Sequence, residues 1–106
     1  MHISLETAQS RLSGTGGLFE SLFEHGSLRV EIYKPVKEDH QKPHDRDEVY
    51  IIISGQGRFI NGDQEVLFGP HDFLFVPAGQ EHRFMDFTDD FSTWVIFYGP
   101  VGGEKG

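Results

Sequence analysis

Residues 39–57, DHQKPHDRDEVYIIISGQG, set His40, His44 and Glu48 at four-residue steps. Imidazole and carboxylate together are a donor set for divalent transition metals. Three arrangements are open: ligands on one face of a helix, ligands gathered by strands, or three unrelated polar residues. Pro43 excludes the helix, because it would remove a backbone donor between His40 and His44 and clash with the preceding turn. Val49, Tyr50 and Ile51–Ile53 also favour a strand after Glu48. A straight strand fails too, since four residues at ~3.3 Å each hold His44 and Glu48 about 13 Å apart. Metal bonds of ~2.0–2.2 Å leave both side chains short of a shared ion. A turn over Asp45–Arg46–Asp47 solves this. His44 then ends one strand, Glu48 begins its antiparallel neighbour, and both side chains enter one space.

Stepping outward, the remaining elements read mostly as strands. Residues 4–12 predict a short helix with Ser4 as N-cap, stopped by the SGTGG run. SLRVEIY alternates Leu28, Val30 and Ile32 against Arg29, Glu31 and Tyr33, the period of a half-buried strand, and LFESLFE before it pairs across His25–Gly26. VYIIIS reads as a strand buried on both faces. GRFI and EVLF flank Asn61–Gly62, a hairpin signal. DFLFVP, HRFMDF and STWVIFYG complete roughly eight short strands, the mark of a sandwich or barrel. The GPVGGEKG tail is expected to be loose.

Composition narrows the function. The chain has 106 residues, which suits a single domain over 1–106. Ten Phe, three Tyr and one Trp supply core area to a small chain. A net charge of -8 without a basic cluster argues against a nucleic-acid partner. The absence of cysteine leaves imidazole and carboxylate as the metal-binding groups. No apolar run approaches a membrane span and no signal core is evident, so a cytoplasmic location is the expectation.

Two motifs resemble those of a small single-domain cupin. His44, three residues, Glu48, six residues and Gly55 match the end of the first cupin motif, and Pro77, Gly79 and His82 in PAGQEH match the second. The resemblance covers about residues 27–98. Lys42 stands where the first motif has another histidine, His71 where the second has glycine, and Asp86 where it has asparagine. The resemblance implies an all-β jelly-roll (double-stranded β-helix) barrel, core about 18–99, with a short N-terminal helix or extension. It also implies one divalent metal (Mn, Fe, Ni, Cu or Zn) inside the barrel, held by His44, Glu48 and His82. His40, two residues before Lys42 and of the same side-chain parity as His44, is a further candidate if a bulge near Pro43 brings it closer. Without a metal, a buried Glu48 needs a cation, and Lys42 is the residue placed to supply one.

In this register Tyr50 and Ile52 follow Glu48 on the inner face, and Phe84 and Asp86 follow His82. Tyr50 and Asp86 are the candidate catalytic acid or base. His71 reads as a turn residue, DFTDDF as a solvated loop rather than a calcium site, and Arg58 and Arg83 as rim residues. Val49, Ile51 and Ile53 would face outward, a row that a small barrel covers by pairing, so a homodimer is expected. The function expected is a metal-dependent enzyme of dioxygenase, isomerase or lyase type on a small organic molecule. A non-catalytic binding or sensor protein is the alternative.

Overall fold

The computed structural model describes residues 1–106. Helix α1 (Leu5–Thr15) precedes eight strands: β1 (Phe19–His25), β2 (Leu28–Tyr33), β3 (Asp47–Ser54), β4 (Gly57–Asn61), β5 (Gln64–Phe68), β6 (Phe73–Val76), β7 (His82–Met85) and β8 (Ser92–Tyr98). A five-stranded sheet in the order β1-β2-β8-β3-β6 faces a three-stranded sheet, β5-β4-β7. Every strand pair is antiparallel. This is the jelly-roll barrel that the motif spacing implied, with its N-terminal helix.

The two sheets enclose an aromatic core. Tyr50, Ile52, Phe59, Phe68, Phe84, Phe91 and Val95 pack there, each at most 4% exposed. Phe59, Phe68, Phe84 and Phe91 form a run of ring contacts with centroids 4.6–5.3 Å apart. These rings fill one end of the barrel, so the polar interior is confined to the other, where β3 and β7 begin.

Strand β2 alternates as its sequence pattern predicts, and its two faces meet different surroundings. Its polar face lines a cavity together with Val95 and Phe97, Glu31 and Tyr33 in its wall and the half-exposed Arg29 at its mouth. Its apolar face turns outward and is covered by α1. Ile32 packs with Ala8, Leu12 and Leu22, and Ile3, Ile53 and Trp94 join them. Each fully buried aliphatic side chain there is worth about 1.5–3 kcal/mol. The bulge between Ser21 and Phe23 frees backbone carbonyls, and the Arg11 guanidinium donates to those of Ser21 and Leu22. Ser4 caps the helix as expected, but the helix runs through Ser13 and Gly14 and stops at Gly16, which is left-handed at φ 67°.

The row Val49, Ile51 and Ile53 is only partly open. Ile53 lies in the α1 cluster, and all three are half-buried within the chain. Both edges of this sheet carry exposed apolar residues: Phe19 at 58% on β1, and Phe73 at 62% and Phe75 at 41% on β6, where they are the register partners of Ile51 and Val49. The C-terminal tail is not loose. Gly102 and Glu104 donate backbone N–H bonds to the Asp45 carbonyl and to the buried Asp47 carboxylate at 2.7 and 2.8 Å.

Gly55 lets β3 cross to β4 at φ 88°, and a Cβ there would lie 2.5 Å from the Phe91 Cα. Left-handed strain and this backbone clash act together. Gly55→Ala is therefore expected to destabilise by about 2–3 kcal/mol, lowering the melting midpoint by roughly 10–20 °C in calorimetry. An unchanged midpoint would show that the crossing is not tight.

Candidate metal centre

His44, Glu48 and His82 meet in the open half of the barrel. One ligand atom from each lies within 4.8 Å of the others. Glu48 opens the inward face of β3, flanked by Phe97 on β8 and Val76 on β6. His82 begins β7 in the opposite sheet, paired with Asn61. His44 comes from the loop before β3, its ring edge-on to Phe97 at 4.8 Å. The chain does bend before Glu48, at Asp45–Arg46, but His44 does not end a strand. Its carbonyl instead accepts from the Gly79 N–H at 2.7 Å, tying this loop to the turn before β7. That bond joins the two motifs directly.

The polar atoms fit a cation. Glu48 and His82 side chains are 1% and 0% exposed, with Oε1 and Nε2 2.9 Å apart. That distance is an ion pair's, yet the angles are not a hydrogen bond's. Both Glu48 oxygens and His82 Nε2 are buried without a hydrogen-bond partner. Atoms that converge on a common point rather than on each other suit a shared ion. His82 Nδ1 lies 2.9 Å from the Gln80 carbonyl, which can only accept, so Nδ1 carries the proton and Nε2 presents its lone pair inward. The residues therefore fit a divalent metal: His44, Glu48 and His82 would hold it.

A layer of groups that sequence reasoning missed surrounds this cluster. Asp39, 3% exposed, accepts four bonds: from Tyr33 Oη at 2.7 Å, the Gln41 N–H at 3.0 Å, the Gln41 Nε2 at 3.1 Å and the Phe84 N–H at 2.9 Å. Gln41 Oε1 in turn accepts from Tyr50 Oη at 3.0 Å. Burial, with the nearby Glu48 charge, raises the Tyr50 pKa well above its ordinary value, so the phenol stays neutral. Beside the cluster lies a cavity of about 260 Å³ lined by Phe19, Arg29, Glu31, Tyr33, Gln41, His44, Val95 and Phe97. Burial raises the Glu31 pKa, Arg29 opposes that shift, and Glu48 and Glu24 add to it.

Two expected site residues lie elsewhere. His40 has a side chain 77% exposed and stands 3.5 Å from Glu38. The chain is extended here, so buried Asp39 and inward Gln41 force His40 outward between them; the step from 41 to 44 then breaks the parity assumed for His40 and His44. Asp86 adopts φ 52° at the end of β7 and turns out to pair with Arg58 at 2.7 Å. It does not follow Phe84 into the barrel. Lys42 is exposed and supplies no cation to Glu48. Arg58 is bound to Asp86 and Glu65, away from the site, whereas Arg83 lines an opening beside His82. Tyr50 is where the register put it. The missed groups left one faint signal, the alternation of Asp39 and Gln41 about an exposed His40.

Residues 29–96 match the Cupin domain family, and the chain belongs to it. It is 26% identical over 98 residues to an uncharacterized protein of Streptomyces coelicolor, covering 91% of this chain and 93% of that one. It is 37% identical over 79 residues to acireductone dioxygenase of Leishmania infantum, covering 67% of this chain but only 23% of the enzyme. Among solved structures it resembles a cupin superfamily protein of Desulfitobacterium hafniense, with a TM-score of 0.65, 20% identity and coverage of 78% and 77%. No helix is long and apolar enough to cross a membrane.

The His82 environment sets a pH dependence. Burial alone would lower its pKa, but Glu48 and the Gln80 carbonyl outweigh burial and raise it above 6.5. In metal-free protein this raised pKa stabilises the fold below the unfolded-state value, and the contribution is lost as pH rises through the folded value. A metal must displace the same proton, so its affinity should weaken as pH falls through that raised value. Calorimetric titration of Zn(II) at pH 6 and pH 8 should show the weaker binding at pH 6; equal affinities would contradict the Glu48–His82 coupling.

Proposed function

We propose that this cupin is a metal-dependent enzyme of dioxygenase, isomerase or lyase type acting on a small organic molecule. The observation that carries the reading is the set of buried donor atoms on Glu48 and His82, without hydrogen-bond partners, beside His44, which itself lines a cavity of about 260 Å³. When bound, the metal supplies Lewis acidity toward an oxygen atom of the substrate. Phe97 and Val95 form an apolar wall, while Arg29, paired with Glu24 at 3.0 Å, stands at the mouth within reach of an anionic group. Glu31, 12% exposed and 3.8 Å from Arg29, is a carboxyl placed to hold or pass a proton at the cavity wall. Tyr50 donates its hydroxyl proton inward to Gln41. The similarity to part of acireductone dioxygenase supports oxygen chemistry as the first class to test.

One observation favours a binding or sensor protein instead. Of the two residues expected as acid or base, Asp86 faces solvent and Tyr50 is fully buried with its hydroxyl engaged. The cavity then recognises a ligand without turnover, and fold does not choose between the two. The proposal also takes the protein to be cytoplasmic and to pair as a two-fold homodimer through the β6 edge around Phe73 and Phe75.

Elemental analysis should find about one divalent metal per purified chain and almost none in a His44→Ala, Glu48→Ala double variant; equal content in both would remove the site. Oxygen uptake with catechols and diketones in the metal-loaded protein would then establish the enzyme, and tight ligand binding without turnover the sensor. For the assembly, light scattering should give twice the 12.0 kDa chain mass, and Phe73→Glu should return it to the monomer. A wild-type monomer would refute the pairing.

A further inference from the structure

The cupin pattern calls for an imidazole two residues before His44, and this chain has an exposed Lys42 there. Neither Lys42 nor His40 enters the site. The side chain that does is Gln41, whose Oε1 lies 3.5 Å from His44 Nε2. We infer that Gln41 Oε1 is a fourth protein ligand of the metal centre, presented there by Asp39. This rests on the metal reading above and adds a ligand outside the histidine and glutamate set.

The orientation of the amide is fixed by chemistry rather than assumed. Asp39 receives two backbone N–H groups, which can only donate, and the Tyr33 hydroxyl. Its oxygens thus act as acceptors, and the Gln41 group 3.1 Å from Oδ2 must be the NH₂. The carbonyl oxygen therefore points the other way, toward His44 and Tyr50. It has two lone pairs, and Tyr50 Oη occupies one at 3.0 Å. The second faces His44 Nε2 at 3.5 Å, a long contact that a shared ion would replace.

The spacing agrees. At 3.5 Å, the contact with His44 Nε2 is at the outer limit for a hydrogen bond. Two donor atoms bound to one ion at ~2.1 Å, with an angle near 90–110°, lie about 3.0–3.4 Å apart. A small closure of Gln41 on His44 gives that geometry. Asp39 is 3% exposed with every oxygen engaged, so it holds the amide rigidly at the position a ligand needs. Two imidazoles, a carboxylate and an amide oxygen form a harder set than three imidazoles and a carboxylate. The chain's own ligands then shift preference toward oxygen-seeking ions such as Mn(II) and Fe(II) over Cu(II).

Co(II) titrated into metal-free protein reports both affinity and, through its visible absorption bands, coordination. Relative to wild type, Gln41→Ala should weaken Co(II) binding by about 10–100-fold and shift the bands. Gln41→Met keeps the volume without the oxygen and should do the same, so the test does not depend on how the alanine variant folds. His40→Ala, a change at an exposed side chain outside the site, should leave both readouts near wild type. Unchanged affinity and bands in both Gln41 variants, or an equal loss in His40→Ala, would overturn the assignment of Gln41 while leaving the His44–Glu48–His82 centre intact. No Co(II) binding to wild type would overturn both.

Discussion

The structure turns on a carboxylate and an imidazole set side by side in the interior, their facing atoms 2.9 Å apart but without a hydrogen bond. Glu48 and His82 are almost fully buried, and their inward oxygens and nitrogen lack hydrogen-bond partners. An isolated buried polar group without a partner costs roughly 2–7 kcal/mol on a transfer scale, and a buried charge costs more unless it is paired. A domain of this size has little stability to spare. The arrangement is coherent if the atoms serve a cation, and the rest of the fold is arranged to keep them in place. The Gln80 carbonyl sets the His82 tautomer, and the bond from Gly79 to His44 ties the two motif loops together.

That constraint divides the barrel. Phenylalanine rings fill one end, and the polar cluster with its adjoining cavity occupies the other. The division is possible because α1 takes over the outer face of β2, burying Ile32 there. Strand β2 can then spend its inward positions on Arg29, Glu31 and Tyr33. The cavity thus owes its polar wall to a helix on the far side of the sheet. Asp39 links the two halves, binding Tyr33 and Gln41 at the site and the Phe84 N–H at the edge of the aromatic end.

Much of this was legible in the sequence. Alternating residues, Asn61–Gly62 and the glycine breaks located the eight strands, because these signals are local. The bend before Glu48 followed from reach alone, and the motif spacing supplied His82. The misreadings share one physical origin: periodicity says that two faces differ but not which is inside. The alternation of β2 does not tell that Glu31 and Tyr33 face the cavity, because the covering helix lies elsewhere in the chain. Parity counted across Pro43 sets His40 with His44, and the irregular step from Gln41 to His44 defeats the count. Strand alternation past Phe84 would bring Asp86 inward, whereas the strand ends at Met85 and Asp86 turns left-handed toward Arg58.

The central claim is that His44, Glu48 and His82 share one divalent ion, and anomalous X-ray scattering from a crystal of the metal-loaded protein tests it most directly. The account predicts one strong peak at the metal's absorption edge, about 2.0–2.2 Å from a ligand atom of each of the three residues. A map with no peak there, and with Glu48 and His82 turned to bond each other, would contradict it.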